Sequence, residues 1–502
     1  MKHFIKYLLL FSGFLLLLFY YLIRTTTGNE HVADYLTYYL SKKTNNEIVV
    51  SSLILKNYPH LTLDMTINKT AKVQLVGEAN IHAINMEYHL KGDTLQINNF
   101  VTNKKVDIVG HLSGSLSGLL VTGKGSAFAG SIEFDGIKTP QNFQDTHIAL
   151  QGVESEDVLT FLKKKPMVQG RANIDVNLTR WSNIEEQGMV VYRLKNGMLP
   201  AITNVPVAMN AEIKLNDVHY TYGVEINSTI GTVSLINGGY DKPTKVIRCA
   251  YTLDINDVSS LEALLKHKYK GGLKASGNLT YDKGFRIEGS TEKLGGNLQF
   301  MYNGKSLDLD LYGVSLVALL EQYDYPTLLQ ANLFGTINYN IPDKIIVMNS
   351  ELKQAKFRRN QITDMVFSTT GIDMLKNVYD KSTFIGGFQE GVLSSILKLD
   401  DGKNHFYLTD TKMNSIKNTI NSNFEIKIEG QELLGNIYGN LQNPQVNVNV
   451  KRLLKYQVGK QIEGWLSNEQ KQEIKNEINQ VSETLKNIDV KEEAKSLLNR
   501  LF

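Results

Sequence analysis

One cysteine, Cys249, stands in 502 residues. No intrachain disulfide and no multi-cysteine metal cage can form from it. It lies in KVIRCAYTLDI, alternating with Ile247 and Tyr251, and reads as a small core-facing hydrophobe. Proline numbers only nine, whereas Asn and Thr are frequent, a balance that suits exposed strand faces and turns. Excess charge is absent as well: 54 basic and 51 acidic residues leave a net +3. With no long basic run either, there is no electrostatic case for nucleic acid. Wholesale disorder is excluded by 42% hydrophobic and 21% charged residues, and the length suits several domains or one elongated repeat array.

Catalytic constellations are missing too. No G-x-S-x-G occurs, since GSLSG at 114–118 centres Leu116. GKGSAF at 123–128 lacks the Lys-Ser/Thr of a phosphate loop and is better explained as a tight turn. Ten histidines are scattered without H-E-x-x-H. His82 and His89, seven apart in strand-like sequence, fall on opposite faces. Acidic residues sit on polar strand faces, where solvation accounts for them. No residue supports an enzyme, and no cofactor or metal is expected.

The one long apolar run comes first. Tyr7 to Ile23 carries no charge, and a helix rising ~1.5 Å per residue nearly crosses a ~30 Å hydrocarbon core over it. Lys2 and Lys6 precede it, Arg24 follows, and Tyr20 and Tyr21 sit where interfacial aromatics are favoured. A cleaved signal peptide would have a shorter apolar stretch and a small-x-small site, and YYLIRTTTGNEH has none. Residues 1–26 are therefore expected to be an uncleaved signal-anchor helix. The positive-inside rule leaves the N-terminus cytoplasmic and the bulk across the membrane. A single cysteine is compatible with an oxidising compartment such as a bacterial periplasm.

After a short helical stretch in EHVADYLTYYLSKK, period-2 alternation takes over. Leu61, Leu63, Met65 and Ile67 share one face; Thr62, Asp64 and Thr66 share the other. Ile84, Met86, Tyr88 and Leu90 repeat the pattern, as do Ile132 with Phe134, Leu307 with Leu309 and Leu311, and Phe424 with Ile426 and Ile428. Three stretches break it alike, each a short helix, a linker, a glycine and a strand. They are 155–178 (Gly170, then Ala172, Ile174, Val176), 259–282 (Gly277, then Leu279) and 315–340 (Gly335, then Ile337). They read as an irregular repeat or as helices punctuating an ordinary β-domain. The chain is expected to be mainly β with a few helices, antiparallel from 27 to 452. Over 453–502 the steps Ile474, Ile478, Val481, Leu485 and Ile488 mark an amphipathic helical tail. The favoured reading packs that tail on the end of the sheet or against a partner helix. The alternative is a membrane-interface helix or one that docks an outer-membrane or envelope protein, and the mixed Lys and Glu of its polar face weaken the interfacial case.

Strands of this kind have one apolar face. Either the sheet folds on itself as serial sandwiches, or it curls into a groove with a partly open lining, which must hold something apolar. Beside a membrane the fitting occupant is an acyl chain, at ~0.8 kcal/mol for each CH₂ kept from water. The candidate lining is Leu61, Leu63, Met65, Ile67, Ile174, Val176, Leu279, Leu307, Leu309, Leu311, Ile337, Ile426, Ile428, Val446 and Val448. A charge at Ile174 or Leu309 is expected to lower lipid occupancy without unfolding the protein.

Four stretches carry a family resemblance. The anchor followed by VADYLTYYLSKKTNNEIVVSSLIL, the glycine-punctuated LVTGKGSAFAGSIEFDG, the helix-then-glycine-strand units, and EGQELLGNIYGNLQNPQVNVNVKRLLK at 429–455 together resemble the AsmA-like family. Its members are inner-membrane-anchored periplasmic proteins, relatives of TamB and of the bridge-like (chorein-type) lipid transfer proteins. Asn45-Asn46 departs from the glycine usual there. The resemblance implies an elongated, twisted β-groove that acts in phospholipid transport or outer-membrane assembly, with no catalytic residues. The alternative is a non-catalytic scaffold or chaperone-like assembly factor for outer-membrane proteins or an envelope complex.

Overall fold

The computed structural model describes residues 17–448, apart from 81, 99, 103, 183, 201–204, 263–268, 324, 371–372, 429 and 442. The tail expected over 453–502 and the first part of the apolar run lie outside the described residues. Among the described residues no helix is long and apolar enough to cross a membrane.

The alternating segments are strands. Twenty-six of them belong to one antiparallel sheet, and Leu95–Ile97 with Phe100–Thr102 forms a separate two-stranded ribbon. The chain divides into two compact units, the first holding the strands up to Ile255 and the second those from Leu273. In each unit neighbours in sequence are neighbours in the sheet, as short antiparallel hairpins require. Only the ribbon interrupts the order, between the strands Ile84–Gly92 and Val106–Ser115.

Helices are few. Thr26–Thr44 runs beyond the helical stretch read from the sequence and ends at Asn45, whose φ of 54° makes it a left-handed cap. Asparagine thus does the work of the expected glycine. Ser155–Phe161 and Leu316–Gln322 precede the strands Gln169–Trp181 and Leu329–Asn340, as the repeating pattern anticipates. In the middle stretch a short 3-10 turn, Val258–Leu261, precedes Leu273–Tyr281. The glycines of the pattern have a steric reason. A Cβ at Gly277 would stand 1.8 Å from the carbonyl oxygen of Glu288 on the next strand. At Gly335 the φ of +154° adds backbone strain to a 2.1 Å approach to the Asn349 carbonyl.

The sequence pattern of GKGSAF resolves differently from the expected turn. Its glycines lie within the strand Gly118–Ala127, and the turn is Phe128-Ala129, with φ of 52° and 60°. Positive φ at both central residues matches the right-handed twist of a two-residue hairpin. The bulky Phe128 tolerates it because its ring is held against Phe161, centroids 5.3 Å apart.

The helix Thr26–Thr44 lies along the strand Ile48–Asn57, which pairs only with His60–Ile67 among the described residues. Asn29 Oδ1 accepts from the Leu55 amide at 2.7 Å, Thr37 Oγ1 from Val50 at 3.0 Å, and Ser41 Oγ from Ile48 at 2.9 Å. These bonds satisfy edge amides that would otherwise template another chain.

Candidate functional site

Register, more than periodicity, builds the candidate face. In the first unit one row crosses all fourteen sheet strands. It runs Val50, Met65, Val73, Leu90, Ile108, Gly125, Ile132, Leu150, Ile174, Tyr192, Ala211, Val224, Leu235 and Tyr251. The adjacent row holds Leu63, Leu75, Tyr88, Phe134, Ile148, Val176, Val190 and Ile213. Every member is apolar, aromatic or glycine. A one-residue slip anywhere would flip a strand to the wrong face, so the burial pattern itself fixes the pairing.

The second unit does the same on a smaller scale. Leu279, Ile287, Tyr302, Leu307, Tyr339 and Ile346 form one row. Phe300, Leu309, Ile337 and Met348 form the next. A third passes from Leu298 and Leu311 through Gly335 and the buried Ser350, its one polar member, to Phe384, Leu397, Leu408, Phe424 and Gly435, opposite Val448. Ile426 pairs with Leu433, and Val446 with Ile437.

Exposure separates these residues into two groups. Ile174 (8% exposed), Leu311 (1%), Ile426 (1%) and Ile428 (2%) are closed. Leu61, Leu63, Met65, Ile67, Val176, Leu279, Leu307, Leu309, Ile337 and Val446 are half-buried. The closed positions lie under covering segments. In the first unit Val158 and Phe161 of the helix Ser155–Phe161 pack on the core containing Ile174. In the second, Leu316 and Leu319 join a core with Val366, Met374 and Tyr379. Val366 belongs to the helix Gln361–Thr370, whose start is fixed by Asn360 and Thr363: the Thr363 amide donates to Asn360 Oδ1 at 3.2 Å and the Asn360 amide to Thr363 Oγ1 at 2.9 Å. That helix escaped the sequence reading, although Asn360 before an apolar stretch was its available signal. Leu61 to Ile67, by contrast, belongs to neither core cluster.

Burial alters one expectation. A charge at Ile174 would enter a packed core with no partner and destabilise the fold, so it cannot report on ligand occupancy alone. Leu63, half-buried and away from both clusters, is the better probe.

Aromatic residues on the face were not recognised as a set. Tyr88 lies across Gly110 and Gly123, where a Cβ would meet its ring carbons or hydroxyl at 2.4 Å, and its hydroxyl donates to the Thr122 carbonyl at 2.9 Å. Burial pushes its pKa up to about 12. Tyr222 covers Gly238 in the same manner and faces the buried Cys249; burial and the thiol raise its pKa. The missing Cβ atoms let a phenol lie flat on the sheet.

The opposite face carries a depression of ≈ 740 Å³ over five strands of the first unit. Its lining mixes the polar Gln74, Glu87, His89, His111, Lys124, Glu133 and Asp135 with the exposed Val76 and Val109. His89 Nε2 is 2.7 Å from Asp107 Oδ1, and this hydrogen bond holds the Asp107 carboxyl below its usual range. Ion pairs such as Arg193–Asp175 at 2.7 Å continue across this face. Among the described residues no group of three or more His, Cys, Asp or Glu is arranged to hold a metal ion. His82 lies in the connection before Ile84–Gly92 and is exposed.

Compared with known proteins, the sequence matches no family model and no curated relative.

Proposed function

We propose that the protein is a membrane-anchored, non-catalytic lipid-binding protein of the bacterial periplasm, and that it holds phospholipid acyl chains along its apolar sheet face. The apolar run at residues 7–23 would fix it in the inner membrane, and transport toward the outer membrane or its upkeep would be its task. The observation that carries this reading is the unbroken apolar row across fourteen strands of the first unit. Its first member, Val50, is buried, but the next, Met65, and Leu63 beside it in the adjacent row are half-buried at the end of the chain nearest the apolar run. A face needed only as a core would be closed along its length. The AsmA-like resemblance of the sequence supports the same assignment by analogy alone.

The test is lipid content. Full-length protein purified from cells is compared with Leu63→Asp and with Leu116→Asp, a substitution at an exposed turn (72% exposed). Mass spectrometry should find at least threefold less phospholipid per protein in Leu63→Asp and wild-type content in Leu116→Asp. Equal lipid in all three proteins would contradict the proposal.

A further inference from the structure

The helix Thr26–Thr44 has two opposite faces with different fates. Asn29, Thr37 and Ser41 bind the edge strand, and Ala33 between them is buried. On the far side Tyr35 is 63% exposed, Tyr38 64% and Tyr39 47%. The Tyr35 and Tyr39 rings stack at 6.1 Å, and Lys42 Nζ sits 5.7 Å from the Tyr38 ring centroid. Three exposed phenols followed by Lys42 and Lys43 set apolar ring bodies with polar tips beside two cations. They match the headgroup layer of a bilayer, where amphipathic rings and snorkelling lysines are both favoured.

The chain immediately before supplies the bilayer. Leu17, Leu18 and Phe19 are exposed on a helical segment ending at Arg24, and ten further uncharged residues, 7–16, eight of them apolar or aromatic, precede them in the sequence. At Thr25 the path turns sharply. The Tyr21 and His31 rings stand 6.5 Å apart, whereas residues ten apart in a straight helix are separated by ~15 Å. Asn29 locks the bend, donating to the carbonyls of Ile23 at 3.1 Å and Thr25 at 2.5 Å. An apolar segment standing in a bilayer would therefore hold the next helix at an angle to itself, along the surface.

We propose that Thr26–Thr44 lies in the headgroup layer of an anionic membrane, with Tyr35, Tyr38 and Tyr39 toward the lipid and Lys42 and Lys43 at phosphates. The helix would so set the first strand at the membrane surface. This stands whether or not the sheet face takes acyl chains.

The test uses the full chain in a Cys249→Ser background, labelled with an environment-sensitive fluorophore at Tyr38→Cys or, as a control, at Leu116→Cys. The protein is reconstituted into vesicles of phosphatidylcholine and phosphatidylglycerol, 3:1, carrying a headgroup-depth nitroxide lipid. Quenching at position 38 should exceed that at 116 by at least threefold. Lys42→Glu with Lys43→Glu should reduce the quenching at 38 about twofold or more. Equal quenching at 38 and 116 in vesicle-bound protein overturns the proposal, and so does a full chain that fails to float with the vesicles. The inference rests on the membrane anchor of the proposed function: failure to float counts against both, whereas equal quenching in vesicle-bound protein overturns this inference alone and leaves lipid content at Leu63 untouched.

Discussion

Asn29 is the residue whose loss should uncouple the first helix from the sheet. It is 8% exposed and serves three backbone groups: the Leu55 amide at 2.7 Å, the Ile23 carbonyl at 3.1 Å and the Thr25 carbonyl at 2.5 Å. Asn29→Ala strands the Leu55 N–H at a partly buried edge, at a cost of about 1–3 kcal/mol. The paired face of the strand is untouched, so the loss appears as local opening rather than global unfolding. At 1.4 kcal/mol per tenfold, the Leu55 amide should exchange about 5- to 140-fold faster. Amides in the strand Ala71–Ala79, two positions inward, should keep their wild-type rates. Hydrogen exchange on the full chain, resolved to this strand, measures both. Thr37→Ala and Ser41→Ala should each add about 1 kcal/mol at Val50 and Ile48, and the triple variant should associate through its uncovered edge, seen by light scattering. A Leu55 exchange rate within twofold of wild type in Asn29→Ala would refute the reasoning.

Three further outcomes follow from packing and burial. Leu311→Ala, in a site 1% exposed, should lose about 2–5 kcal/mol in urea unfolding, whereas the half-buried Leu63→Ala should lose about 1 kcal/mol; similar losses would mean that the two rows are equally closed. Gly277→Ala pushes a Cβ to 1.8 Å from the Glu288 carbonyl and should lower the melting temperature by several degrees, while Gly284→Ala, with nothing within 4 Å, should leave it unchanged. The Tyr88 phenol ionises near 10 in an unfolded chain but at about 12 in the fold. Its raised value favours folding below about pH 10, and that contribution is lost as pH rises through about 12. Absorbance at 295 nm should show a late-ionising group that Tyr88→Phe removes.

Much of the sheet was legible because a half-buried antiparallel strand must alternate, and Leu61 to Ile67 or Leu307 to Leu311 alternate without error. The Gly277 and Gly335 positions were legible as punctuation, although their cause, a neighbouring carbonyl in the space of a Cβ, required the register. What periodicity could not supply was coverage. Leu309 and Leu311 read alike, yet Leu311 is sealed beside Val366 and Met374 while Leu309 stays half-buried. That difference depends on residues far along the chain, Val366, Met374 and Tyr379, which share the buried core with Leu311. Tyr88 over Gly110 and Gly123 was hidden for the same reason, since the three residues meet only across strands. Asn29, Ala33, Thr37 and Ser41 form an i, i+4 stripe too polar to read as a core face, and its partner is a strand edge rather than another apolar surface.

The central claim is that the alternate residues of one face touch acyl chains. A photoactivatable phenylalanine analogue placed singly at each position from 61 to 67 in the full-length protein, irradiated in cells, tests it most directly. Both faces of this strand are half-buried, so access of the probe itself does not bias the comparison. Mass spectrometry should find phospholipid adducts at 61, 63, 65 and 67 and few or none at 62, 64 and 66. Adducts on both sets alike, or on neither, would contradict the account.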